Sequence, residues 1–271
     1  MSKLYVVGTP IGNLSDFSPR AIETLSTVDF IAAEDTRVTV KLLNHFGIKK
    51  PMISYHEHNI REKGEYIISR ISAGENCAIV TDAGMPCISD PGEDIVRLCH
   101  ERGIALEVIP GPSALISALA ISGLITSKFS FEGFLTVKKS GRYEQLNKIK
   151  NDERTIIFYE APHKLQTTLA DIYAVFGNRK IAIARELTKI HEEVFKTDMV
   201  GAIKHFEEIA PRGEFVLVVE GAEPQKEEEI TFEDAVLMAK EIAEEIGDSA
   251  AAKEISKQTG FKKGDLYKAL Q

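Results

Sequence analysis

Residues 80–92, VTDAGMPCISDPG, constrain this chain more than any other stretch. Cys77, Ala78, Ile79 and Val80 form an apolar run too short for a helix and read as a buried strand. Asp82, Gly84, Pro86, Asp90, Pro91 and Gly92 then exclude regular structure, and a helix resumes at Glu93. A long, stiff loop thus follows the carboxyl end of a strand. In an open α/β sheet that is where ligands bind. Gly84 lets a ligand approach the backbone, and the prolines set the loop's shape before anything binds. An ordinary strand-to-helix turn is shorter.

The pattern recurs along the body. A strand at residues 4–7 runs into Gly8-Thr9-Pro10-Ile11-Gly12-Asn13, which lacks both the GK[ST] of a P-loop and the GxGxxG spacing. Strands at 29–33 and 52–55 end in Glu34-Asp35-Thr36-Arg37 and His56-Glu57-His58-Asn59. A strand at 105–109 enters Pro110-Gly111-Pro112-Ser113-Ala114, where Ser113 is the expected N-cap of an apolar helix. The alternation of strand and helix predicts a mostly parallel sheet. A second unit begins near Ser122. Its strands at 155–159 and 181–184 end in Glu160-Ala161-Pro162-His163-Lys164 and Arg185-Glu186-Leu187-Thr188-Lys189. A basic segment, 136–154, joins a strand at 129–135 to the one at 155–159. After an acidic linker at 222–229, residues 249–270 are patterned as a helix-turn-helix around Ile255, Phe261, Leu266 and Leu270. The expected organisation is therefore α/β, with domains at 1–121 and 122–221 and a helical tail at 230–271. Clustered strand ends from both halves predict one shared cleft.

Three cysteines, Cys77, Cys87 and Cys99, contain no CxxC pair, which predicts a reducing cytoplasm and no structural zinc. No apolar stretch is long enough to cross a membrane, and the N-terminus lacks a signal-peptide core. The net charge of −8 discourages indiscriminate nucleic-acid binding. Most of that charge is in the tail: residues 222–271 hold 7 Lys+Arg against 12 Asp+Glu, the remaining residues 26 against 29. The body is left free to carry a basic face.

VTDAGMPCISDPG, VIPGPSA, FYEAPHK and ARELTK, in this order and after VVGTPIGNL, resemble the tetrapyrrole-methylase superfamily of S-adenosylmethionine methyltransferases. Within it they are similar to the branch of bacterial 16S ribosomal RNA small-subunit methyltransferases. The resemblance spans about residues 3–221. It implies a cleft between two α/β domains that holds S-adenosylmethionine, no metal, and a homodimer. It also implies 2′-O-ribose methylation of a decoding-region cytidine (cytidine-1402) in 16S RNA of the small ribosomal subunit. Two positions depart from the family pattern: Met85 stands where Thr is expected, and Thr136 where Pro is expected.

Under this resemblance Pro10, Gly84, Met85, Pro86, Cys87 and Ile88 wrap the cofactor. Ser113 and Ala114 offer N–H groups to its carboxylate at a helix start, and Ala161 and Leu187 face it from the second half. A ribose hydroxyl must lose a proton as it attacks, so a base assists. Glu34, Asp35, His56, Glu57, Asp82 and Glu160 are the candidates, with Asp82 and Glu160 favoured by their motif loops. Either of these two can instead orient a backbone turn. RNA phosphates call for cations, and the candidates are Arg37, Lys138, Lys139, Arg142, Arg154, His163, Lys164, Arg185 and Lys189. Two other readings compete: a methyltransferase acting on a porphyrin-like small molecule, and a non-catalytic RNA-binding protein that keeps the fold.

Overall fold

The computed structural model describes residues 2–224 and 230–271. They fall into two compact units, Met1–Ala222 and Glu223–Gln271. Most of the expected acidic linker, residues 225–229, lies outside the described residues.

The larger unit holds two five-stranded sheets. The first comprises β1 (Lys3–Val7), β2 (Phe30–Ala33), β3 (Met52–Ser54), β4 (Cys77–Val80) and β5 (Ala105–Ile109), in the order β3-β2-β4-β1-β5. All its pairs are parallel, as the alternation predicted. Helices α1 (Pro19–Thr27) and α2 (Thr36–His45) cover one face; α3 (Ile60–Ser72) and α4 (Glu93–Arg102) cover the other. The α1 start follows its sequence signal: the Ser18 hydroxyl accepts from the Ala21 N–H at 3.1 Å, with Pro19 just inside.

Helix α5 (Ala114–Ser122) follows the last strand of this sheet but packs on the second one. Both faces of its own sheet are already covered. Leu115, Ala118 and Leu119 instead join Ile157, Ala182, Ala184, Val216 and Val218 in one core. Ile116 and Ile121 on the same helix stay exposed.

The second sheet comprises β6 (Phe129–Phe134), β7 (Thr155–Glu160), β8 (Lys180–Arg185), β9 (Glu193–Asp198) and β10 (Phe215–Val219), in the order β6-β7-β10-β8-β9. It is mixed. β6 and β7 are parallel, whereas β10 runs antiparallel between β7 and β8, and β9 forms a hairpin with β8. Helices α6 (Lys139–Ile149), α7 (Leu165–Phe176) and α8 (Met199–Glu208) contribute to the core on the face away from α5.

The smaller unit contains α9 (Phe232–Ile246), α10 (Asp248–Thr259) and α11 (Lys263–Leu270). Thr231 and Asp234 form a reciprocal capping box that starts α9. Ala235, Ala239, Ala252, Ile255 and Leu266 build a small core, with Phe261 and Leu270 packed against it.

Candidate functional site

The adjacent strands β4, β1 and β5 end side by side, and their loops interlock. Thr9 and Gly84 exchange backbone hydrogen bonds of 2.8 and 3.2 Å. Gly8 and Gly111 meet backbone to backbone. A Cβ on Gly8 would lie 2.6 Å from Met85 Sδ and 2.7 Å from Gly111 Cα; one on Gly111 would lie 2.8 Å from the Gly8 carbonyl carbon. Only glycine fits at either position. Gly84 differs, because a Cβ there would lie 3.4 Å from its nearest neighbour, Ile11 Cγ2. Its backbone is left-handed (φ 89°), a conformation that favours glycine, and it lines the cavity. Met85, the first departure from the family pattern, packs its sulfur onto Gly8.

Loops of the second half complete a cavity of about 380 Å³. Gly12 lies so close to the β8–β9 turn that a Cβ would sit 2.5 Å from Lys189 Cγ. The Tyr159 hydroxyl accepts the Leu115 N–H at 3.2 Å and so holds the start of α5. Ser113 is the N-cap residue of α5, as expected, though without a side-chain cap bond, and it lines the cavity with Ala114. Glu160 is buried at the cavity wall. Its carboxylate accepts from the Ala161 N–H at 2.8 Å and the Thr168 hydroxyl at 2.5 Å.

Of the expected cofactor residues, Gly84, Met85, Ile88, Ser113, Ala114, Ala161 and Leu187 line this cavity. Pro10, Pro86 and Cys87 do not. Pro10 and Pro86 are buried in the loops behind it. Cys87 turns its sulfur toward Gly92, and burial pushes its thiol up to about 11. Sequence reasoning left several wall residues unassigned, among them Asp90, Phe134 and Glu214. Asp90 belongs to the central motif but reads as a turn residue ahead of Pro91. Burial, then repulsion from Glu34, raises its carboxyl to about 6.

Among the six base candidates, Glu160 alone lines the cavity. Asp82 lies outside the lining, where its Oδ1 accepts the Asp35 N–H at 3.2 Å; burial first and Glu34 second raise its pKa. Glu34 accepts from the Thr81 hydroxyl at 2.6 Å, and Asp35 is held to about 2 by its bonds from Arg37. His56 pairs with Asn59 at 3.3 Å, and Glu57 is exposed.

The RNA candidates divide sharply. Lys138, Lys139 and His163 are exposed at the cavity end of the second sheet, with Lys164 half-buried beside them. Arg37 is exposed and bonded to Asp35. Arg142 is corrected from an RNA contact to a structural clamp. It is buried, paired with Asp171 at 2.5 Å, and donates to the Thr136 and Val137 carbonyls at 3.1 and 2.9 Å. Arg154 is exposed and bonded to Asp152, and it precedes the first residue of β7, so the whole strand separates it from Glu160. Arg185 donates to the Arg212 carbonyl at 2.7 Å, and Lys189 is shared by Glu186 and Glu214. Both stiffen the cavity wall. Thr136, the second departure, donates its N–H to Gln145 at 3.3 Å, a bond that proline lacks.

Comparison with known proteins agrees with this geometry. Residues 3–201 match the family model of the tetrapyrrole (corrin/porphyrin) methylases. A ribosomal RNA small subunit methyltransferase I from Synechocystis is 47% identical over 98% of this chain and 96% of its own length. One from Thermotoga maritima is 49% identical over 82% of this chain and all of its own length. Among solved structures, uroporphyrin-III C-methyltransferase from Thermus thermophilus, complexed with S-adenosylhomocysteine, superposes with a TM-score of 0.57 at 15% identity, over 80% of this chain and 97% of that one.

Proposed function

This chain belongs to the tetrapyrrole methylase family, in its ribosomal RNA small subunit methyltransferase I branch, and we propose that it methylates the 2′-hydroxyl of a decoding-region cytidine (cytidine-1402) in 16S RNA. The observation that carries this reading is the cavity built jointly by the motif loops of both halves, in a chain nearly half identical to relatives of that name over almost its full length. S-adenosylmethionine supplies an electrophilic methyl group on a sulfonium. The cavity suits it: mostly apolar walls disfavour a charge that methyl transfer cancels, and Asp90 offers a carboxylate to a cationic ligand. Ser113 and Ala114 would hold its carboxylate at the start of α5. Gly84, Met85, Ile88, Ala161 and Leu187 would enclose the remainder, with Pro10, Pro86 and Cys87 acting through loop shape.

Glu160 is the proposed proton acceptor. The two bonds it already accepts orient it, and a carboxylate has lone pairs left for a substrate hydroxyl. Asp82 then ties the loop after β4 to the loop after β2. Lys138, Lys139, His163, Lys164 and Arg37 would meet phosphates around the cavity. Residues 1–121 and 122–221, which share the larger compact unit, would act as the two domains of one enzyme. Exposed Val108 on edge strand β5, with Ile116 and Ile121 on α5, supports a homodimer. No helix among the described residues is long and apolar enough to cross a membrane. A ribosomal RNA substrate places the proposed enzyme in the cytoplasm.

The test is transfer of labelled methyl from S-adenosylmethionine to free 16S RNA, assembled small subunits and a porphyrin precursor. Label in a cytidine ribose of the RNA is expected. Label in the porphyrin alone would reassign the acceptor, and cofactor binding without transfer would leave an RNA-binding protein.

A further inference from the structure

Two apolar side chains sit at the rim of the cavity and remain in water. Phe134 is 55% exposed and Ile88 45%, although both line the cavity. Their placement is set by unusual backbone. Ile88 is flanked by Cys87 (φ 71°) and Ser89 (φ 65°), both non-glycine residues in the left-handed region. Such residues are costly and persist where surrounding structure imposes them. Phe134 follows a bulge in β6, where pairing with β7 shifts between Phe131 and Gly133. Phe131 pairs with Ile157 on the α5 side of the sheet. Strict alternation would put Gly133 on that side and Phe134 on the other. The extra residue instead brings Phe134 level with Tyr159, on the cavity side.

The two rims touch. A Cβ on Gly133 (φ 64°) would sit 3.3 Å from Ser89 Oγ. The Phe134 ring is braced on one side by Tyr159, with centroids 5.6 Å apart, and Tyr159 is braced in turn by Phe131 at 4.9 Å. The bulge thus gives up ladder pairing to hold an aromatic ring over the cavity mouth, one side supported and the other open. Exposed Lys138 and Lys139 follow within five residues. A supported aromatic face beside cations is how proteins hold an unstacked nucleotide: the ring takes the base and the cations take the phosphates.

We propose that Phe134 is the platform on which the base of the acceptor nucleotide stacks while its ribose enters the cavity. This rests on the RNA-methylation reading above and adds a positioning surface to it. The assay is steady-state methyl transfer to small ribosomal subunits lacking the methyl group, with calorimetric titration of S-adenosylmethionine into each variant. Phe134→Ala and Phe134→Leu should each lower kcat/KM about 5- to 150-fold, and Phe134→Tyr should retain it. S-adenosylmethionine affinity should stay within about two-fold in all three, because the ring meets the acceptor and not the cofactor. The side chain is half in water, so its loss does not threaten the fold. Phe134→Leu as active as Phe134→Tyr would overturn the stacking role. A fall in cofactor affinity matching the fall in activity would assign the ring to the cofactor instead. A wild-type chain inactive on RNA would remove both this proposal and the functional reading, whereas an active wild type with an equally active Phe134→Ala removes this proposal alone.

Discussion

The two sheets build the same cavity by different means. The first contributes a floor of loops from β4, β1 and β5, locked together by backbone contacts at Gly8, Gly111 and the Thr9–Gly84 pair, of which Gly84 itself lines the cavity. The second contributes a wall of side chains: Glu160, Tyr159, Leu187 and Phe134, stiffened behind by the Arg142–Asp171 pair. A floor of touching glycines has no room for an added atom. A wall of side chains can be changed group by group. The difference separates holding from acting, since backbone contacts fix a ligand's place while side chains supply chemistry.

The sharpest break in that comparison is Glu160→Gln. If the wall acts, kcat should fall about 10²- to 10⁴-fold with cofactor affinity unchanged; a parallel loss of affinity, read by calorimetry, would make Glu160 part of the holding machinery. Next is Arg142→Met, which leaves Asp171 buried without its counter-charge. Stability should drop by about 3–5 kcal/mol, measured by urea unfolding, and Asp171→Leu added to it should restore much of the loss.

A smaller effect sharpens the floor. Gly111→Ala forces a carbon into the Gly8 backbone and should cost about 1–3 kcal/mol along with most cofactor binding. Gly84→Ala has space and should cost only the strain of its backbone, about 1–2 kcal/mol, with binding largely kept. Equal losses of affinity in the two variants would erase the distinction between close packing and backbone conformation.

The mildest effect concerns pH. Asp90, raised to about 6, is neutral below that value and anionic above it. A cationic cofactor favours the anion, so affinity should weaken about ten-fold between pH 7 and pH 5. Folding has the opposite sign. The group's stabilising contribution is present below the ordinary carboxyl value and is lost as pH rises through about 6, because the unfolded chain ionises it more readily. Asp90→Asn should flatten both dependences, measured by calorimetry and by thermal unfolding across the pH range.

The candidate site was legible where strands run toward it. A rule that looks at carboxyl ends found the loops after β1, β4, β5, β7 and β8 from their Gly, Pro and charge clusters. It overlooked Glu214, Phe215 and Val216, because β10 is antiparallel and reaches the cavity with its amino end. Arg154, read from the basic segment between β6 and β7, sits at the start of β7, away from that strand's cavity end. Arg142 read as one more cation in a basic run; its partner, Asp171, lies on α7, far along the chain. Phe134 read as an ordinary strand residue, because one extra residue in β6 changes its face without changing the composition.

What local chemistry governs was therefore readable from the chain: short apolar runs as strands, Gly/Pro clusters as loops, Ser18-Pro19 as a helix start, and the order of the motifs. These depend on residues within a few positions of one another. The antiparallel direction of β10, the shift of α5 onto the second sheet, the burial of Arg142 and the side to which Phe134 points depend on residues brought together from distant parts of the chain. Those were settled by packing, because the free energy that fixes them belongs to contacts that exist only once the sheets have formed.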